Sequence, residues 1–82
     1  MSVSFLERYY SDKTWQGRAT VMEIFHMAAT LSDGSWTVGK TASFFGVSIG
    51  LASENLKLAE AIHDNERLMK VETRKEALRR LK

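Results

Sequence analysis

The chain of 82 residues contains no proline, and four of its five glycines lie between residues 34 and 50. Proline and glycine are the residues that most often interrupt regular structure, so the stretches on both sides of this segment are free to form helices. Apolar residues recur there at spacings of three and four, and the alternation typical of strands is not sustained. We therefore predict an all-α domain of five or six short helices.

Hydroxyl residues indicate where several of these helices begin. Ser4, Thr37, Ser48 and Thr73 each precede an apolar, helix-period segment, and a hydroxyl at this position can accept a hydrogen bond from a free backbone N–H group. Another helix is predicted from about residue 18 to residue 31. The residues whose spacing of three and four indicates it are Val21, Ile24, Phe25, Ala28 and Leu31.

Composition limits the class of protein. With 27% charged and 44% hydrophobic residues, the chain fits one small domain, and the absence of cysteine excludes disulfides and thiolate metal sites. No apolar run approaches the ~20 residues that span a membrane, and the N-terminus does not resemble a secretion signal. The two histidines lie far apart in the sequence. We expect a cytoplasmic protein without a metal or other cofactor, and no arrangement of residues suggests an enzyme.

Residues 34 to 41, "GSWTVGKT", match the phosphate-loop pattern G-x-x-x-x-G-K-[ST]. A phosphate loop follows a buried strand and opens a long helix. Here a helix-period segment precedes the pattern, and Gly46 interrupts the element that follows it. We therefore expect no nucleotide at this segment, in spite of the match.

The same region predicts two short helices joined by a tight turn. Gly46 suits the turn, because a glycine adopts the left-handed conformation without a steric penalty. Ala42 and Ala52, at offsets of four before and six after it, would let the two helices approach closely. Two helices joined by a short turn that contains glycine form the helix-turn-helix arrangement.

The segment "GKTASFFGVSIGLASENLKLAEAI" resembles the helix-turn-helix of ParB-like partition proteins and KorB-type plasmid repressors. The following "RLMKVETRKEALRRLK" is similar to the basic helix that often comes after it, so the resemblance covers about residues 18 to 82. It implies sequence-specific binding of duplex DNA through the second helix. A counterpart of the N-terminal domain of full ParB proteins is missing, so CTP-dependent clamping is not carried over.

In this geometry the beginning of the second helix meets base edges in the major groove. The candidate base-reading residues are Ser48, Ile49, Gly50, Ser53, Glu54 and Lys57. In the same geometry the first helix of the helix-turn-helix begins near a DNA phosphate. The basic C-terminal segment can contact the DNA backbone. The candidate backbone contacts are Thr37, Lys40, Thr41, Arg74, Lys75, Arg79 and Arg80. No Arg, Asn or Gln suited to bidentate base reading lies near the start of the second helix.

The resemblance implies a small transcriptional repressor, or a partition or accessory factor of phage or plasmid type, associated with the nucleoid when bound to DNA. We expect a homodimer, because one module reads few base pairs. Residues 1–16 form a possible contact helix for a second copy or a partner, and residues 17–82 form the DNA-binding domain. The alternative is a protein–protein interaction module that has kept the scaffold and no longer binds DNA, which the net charge of only +2 also allows.

Overall fold

The computed structural model describes residues 4–81, and all regular elements in this part of the chain are helical. The five α-helices and one 3₁₀ helix are α1 (Phe5–Ser11), α2 (Trp15–Ser32), α3 (Val38–Phe45), α4 (Ile49–Asp64), the 3₁₀ helix (Glu66–Lys70) and α5 (Arg74–Arg80). The predicted all-α fold is confirmed. None of these helices combines the length and the apolar character that a membrane span needs.

Every α-helix begins after a hydroxyl side chain that accepts a hydrogen bond from a backbone N–H group in the first turn. The four predicted caps are confirmed, at Ser4, Thr37, Ser48 and Thr73. The fifth cap, Thr14, was not predicted; its oxygen accepts from the Gly17 N–H at 3.0 Å. As a result, α2 begins three residues earlier than the sequence suggested.

The apolar residues that indicate α2 by their spacing are not all buried. Val21 is buried, but Ile24 is 44% exposed and Leu31 is 88% exposed. The residues of α2 in the core are Trp15, Ala19, Val21 and Met22. Helix α2 carries two apolar stripes, and periodicity alone does not tell which of them packs against the rest of the chain.

Two adjoining clusters of buried side chains form the core. One joins the first turns of α2 to the last half of α4, the 3₁₀ helix and α5, and it consists of Trp15, Ala19, Leu58, Ala59, Leu68, Val71 and Ala77. The other joins α1, α2, α3 and α4, and it consists of Tyr9, Val21, Met22, Ala42, Phe45 and Ala52. Helix α1 is thus packed into the same core as the remaining helices, and the boundary expected after residue 16 falls within α2.

The turn between α3 and α4 has the predicted conformation. Gly46 is left-handed, with φ 73° and ψ 32°, and the following Val47 N–H donates to the Ala42 carbonyl at 3.0 Å. Ala42 and Ala52 are buried in the same cluster, so small residues lie where α3 and α4 meet. The Tyr10 hydroxyl donates to the Phe45 carbonyl, which satisfies a backbone group at the end of α3. The turn that sets the direction of α4 is therefore stabilised by its own backbone hydrogen bond and by the Tyr10 hydroxyl.

Replacing Gly46 with alanine is expected to lower the free energy of unfolding by about 1–2 kcal/mol, because a Cβ atom is disfavoured in left-handed backbone. An added Cβ would lie 3.9 Å from the Tyr10 hydroxyl oxygen, so the cost comes from the backbone and not from a clash. Urea denaturation followed by circular dichroism measures the change. Gly34→Ala is the matched control, because its Cβ meets nothing within 4 Å and its φ is not positive. Equal stability of the two variants would contradict this role of Gly46.

Candidate nucleic-acid interface

The first three turns of α4 present one face to solvent. Ile49, Gly50, Glu54 and Lys57 are exposed on it, and Ser53 is half-buried. The opposite face of α4 is buried in the core through Ala52, Asn55, Leu58 and Ala59. Ser48 lies just before the helix, where its hydroxyl accepts from the Leu51 N–H at 3.1 Å. The six candidate base-reading residues therefore share one accessible surface, although the Ser48 hydroxyl is already used as a cap.

Asn55 fixes how α4 is rotated against its neighbours. Its buried side-chain amide donates to the Tyr9 hydroxyl at 3.2 Å and to the Met22 sulfur at 3.8 Å. Its carbonyl oxygen accepts from Arg74 Nε at 3.1 Å. An amide in the core is costly unless it is hydrogen-bonded, so this set of partners favours one orientation of the helix.

Arg74, a candidate contact to the DNA backbone, lies between Asn55 and Glu54. Its Nη2 donates to Glu54 Oε1, and its side chain is only partly exposed. The guanidinium compensates Glu54, the one carboxylate among the candidate base-reading residues, so this surface is less repulsive toward phosphate than the sequence suggested. The pair also joins α5 to the beginning of α4.

Some of the candidate contacts to the DNA backbone near the start of α3 are accessible, and others are not. Thr37 caps the helix through its hydroxyl, which accepts from the Lys40 N–H at 3.2 Å. Lys40 is exposed, and its Nζ lies 5.6 Å from the centroid of the Trp36 ring. Hydrogen bonds from Ser35, and secondarily the charge of Lys40, lower the pKa of Asp33. Lys40 thus remains available at the surface, next to a carboxylate.

The expectation for Thr41 is wrong, because its side chain is completely buried. The hydroxyl accepts from Trp36 Nε1 at 2.8 Å and lies 2.6 Å from His26 Nδ1. A phosphate cannot reach an oxygen in this position, and neither can a metal ion bound to a nucleotide. The "GSWTVGKT" segment is folded as a turn followed by a capped helix, with no strand before it in the described part of the chain.

The basic residues of α5 are at the surface. Lys75 is exposed, and Glu76 forms ion pairs with Arg79 and with Arg80, each at 3.4 Å. Exposed pairs of this kind are weak, so both guanidinium groups remain accessible to a polyanion. At the far end of α4, His63 Nε2 contacts Glu23 Oε1 at 2.8 Å. The hydrogen bond with this carboxylate raises the pKa of His63.

Two basic residues that lie beside α4 were not predicted from the sequence as candidate contacts. Lys13 and Arg18 flank the start of α2 and lie with Arg74 around a cleft that Leu51 and Asn55 of α4 also line. Lys13, in the turn before α2, and Arg18 are five residues apart, but Arg74 of α5 joins them only in the folded chain, so no spacing rule could have found this group. Among residues 4–81, no three histidine or acidic side chains lie close enough together to hold a metal ion.

Comparison of the chain with protein-family models, with curated proteins and with solved structures finds no match. The resemblance to partition proteins and plasmid repressors is therefore neither supported nor contradicted by known relatives. The surface of α4 and the groups around it are therefore the basis for a functional proposal.

Replacing Thr41 with valine is expected to lower the free energy of unfolding by about 1–3 kcal/mol, because Trp36 and His26 lose their shared partner at a buried site. Thermal or urea denaturation measures the loss. Thr41→Ser is the matched control, because it keeps the hydroxyl while removing a methyl group. If the valine variant were at least as stable as the serine variant, the hydroxyl would not have this stabilising role.

Proposed function

We propose that this protein binds duplex DNA in a sequence-specific manner, with α4 as the recognition helix of a helix-turn-helix and α3 as the helix before it. The single observation that carries the proposal is the accessible face of α4 directly after the Gly46 corner, backed by the core along its whole opposite side. A B-DNA major groove about 12 Å wide admits one α-helix. A rigid helix that projects its first turns is the element this groove accepts.

Base reading is assigned to the outward side chains of α4. Ile49 is 62% exposed and can pack on a thymine methyl group, and the Ser53 hydroxyl can bond with more than one base. Glu54 can accept from a cytosine amine, and Arg74 then acts as a positioning residue that holds this carboxylate. Lys57, one turn further along, adds a cation on the same face.

Backbone contacts are assigned to both ends of this surface. Lys40 extends from the first turn of α3, where free N–H groups also favour a phosphate. Lys75, Arg79 and Arg80 of α5 supply further positive charge. Contacts of this kind determine affinity and register without reading sequence. A role as a small repressor, or as a partition or accessory factor of a phage or plasmid, follows from such binding.

The sequence suggested residues 1–16 as a possible contact helix, but Tyr9 of α1 is buried in the core of the protein itself, so we assign the expected homodimer to the second apolar stripe of α2. Ile24, Met27 and Leu31 are exposed at spacings of three and four, so they lie on one side of the helix. Residues 27 to 32 contain no charged side chain. A second copy presents the same stripe, so a two-fold contact pairs apolar side chains with one another, and it provides the second recognition helix for a paired half-site.

We expect binding to random duplex DNA at low salt, with an affinity that falls steeply as salt is raised. Fluorescence anisotropy over a salt series measures it. Lys40→Ala is expected to weaken binding on all sequences and to reduce the salt slope by about 1. Arg8→Ala is the matched control, because Arg8 is exposed on α1 and lines a different groove, with Thr20 and Met69. Absence of binding by the unmodified protein at low salt would contradict DNA binding and favour the interaction module.

Leu31→Glu is expected to shift the protein from dimer to monomer, because a paired stripe would bury two like charges. Sedimentation equilibrium measures the association. Ser32→Glu is the control, since it places the same charge at the same end of α2, on an exposed position beside the stripe. An unmodified protein that stays monomeric, or a Leu31→Glu variant that still dimerises, would refute the α2 contact.

A further inference from the structure

A cleft of about 310 Å³ lies beside the first half of α4, and none of the residues that line it belongs to α3. Three cations line it, Lys13, Arg18 and Arg74, together with Leu51 and Asn55 of α4. One carboxylate, Glu72, is also at the cleft. The lining residues carry three positive charges and one negative charge; just outside the lining, Glu54 pairs with Arg74 and Asp12 lies near Arg18.

The two arginines of the cleft are already held in place. Arg18 Nε donates to the Asp12 carbonyl at 2.8 Å, and its guanidinium carbon lies 5.7 Å from the centroid of the Tyr9 ring. Arg74 is held by Asn55 and Glu54. An arginine has five N–H donors, so these bonds leave further donors on each side chain. Groups that are ordered before binding lose less conformational entropy when a ligand arrives.

The position of the cleft relative to the recognition surface suggests what binds there. One flank of α4 faces α3, where the Ile49 side chain lies next to Gly39 in the first turn of that helix. The other flank carries Leu51, which lines the cleft, and Glu54, which pairs with Arg74; the cleft extends inward from there to the buried Asn55. A helix about 10–12 Å across fills a major groove about 12 Å wide, so each of its flanks meets one of the two phosphate strands.

We propose that Lys13, Arg18 and Arg74 bind a backbone phosphate of the DNA strand that runs along this second flank of α4. The proposal rests on the DNA-binding function above and adds to it a contact site on the side away from Lys40. The phosphate oxygens accept from the guanidinium and ammonium groups, which are the donors best suited to them. The negative charge of Glu72 repels the phosphate, so this carboxylate lowers the affinity and is not part of the site.

The test uses the full chain, a 20-base-pair random duplex and anisotropy over a salt series. Lys13→Ala is expected to weaken binding on every sequence and to reduce the salt slope by about 1, because one phosphate contact is lost. Glu72→Gln is expected to raise affinity, because it removes the opposing carboxylate. Both side chains are exposed, so neither change disturbs the core. Arg8→Ala, which removes one positive charge from α1 outside the cleft, is the control for a general effect of net charge.

The outcomes distinguish a failure of the cleft as a DNA contact from a failure of the DNA-binding function. If the unmodified protein binds DNA with a steep salt dependence while Lys13→Ala and Glu72→Gln match it, the cleft is not a DNA contact and the function stands. If the unmodified protein binds no DNA at low salt, both proposals fail. A titration with inorganic phosphate at constant ionic strength, followed by NMR, identifies a site for free anions. Phosphate binding that Lys13→Ala abolishes, without any change in the salt slope for DNA, would overturn the proposal in favour of such a site.

Discussion

The buried amide of Asn55 is the interaction on which the arrangement of the helices around α4 depends. It lies in the core, where an amide is tolerated only with its hydrogen bonds made. Its partners come from three other helices, Tyr9 from α1, Met22 from α2 and Arg74 from α5. Apolar packing alone would allow α4 to rotate by a fraction of a turn, whereas a directional bond to each neighbour does not. The hydrogen bonds that Asn55 makes on the buried face of α4 therefore determine which residues of this helix face the solvent.

Charge on the candidate interface is balanced locally and becomes positive only at its edges. Glu54 is compensated by Arg74, Asp33 lies near Lys40, and Glu76 is shared by two arginines. This pattern explains how a chain with a net charge of only +2 can present a surface compatible with a polyanion. In the proposed complex, the cations at the flanks would contact phosphates, and the short side chains between them would approach bases. Affinity and specificity would then come from different residues of one surface, as is general for proteins that read DNA.

Local features of the sequence predicted the helices well. A hydroxyl before an apolar segment, a glycine between two such segments and the lack of proline act within a few residues, so their effects are largely independent of the rest of the chain. The caps at Thr37, Ser48 and Thr73 and the corner at Gly46 were predicted on this basis and are confirmed. Thr41 was misjudged, because its burial depends on Trp36 and His26, and His26 belongs to another helix. The exposure of Leu31 could not be read from its spacing, because α2 has two apolar stripes and the core covers only one.

The sequence by itself determined the helical class, most helix starts and the tight corner before α4, because these follow from backbone conformation and hydrogen bonds between near neighbours. Only the tertiary structure decided which side of α2 is buried, where Arg74 is held, and that Lys13 and Arg18 meet it beside α4. The physical reason is that burial and clustering of charge are properties of helices packed together, and residues far apart in the chain acquire a common environment only through that packing.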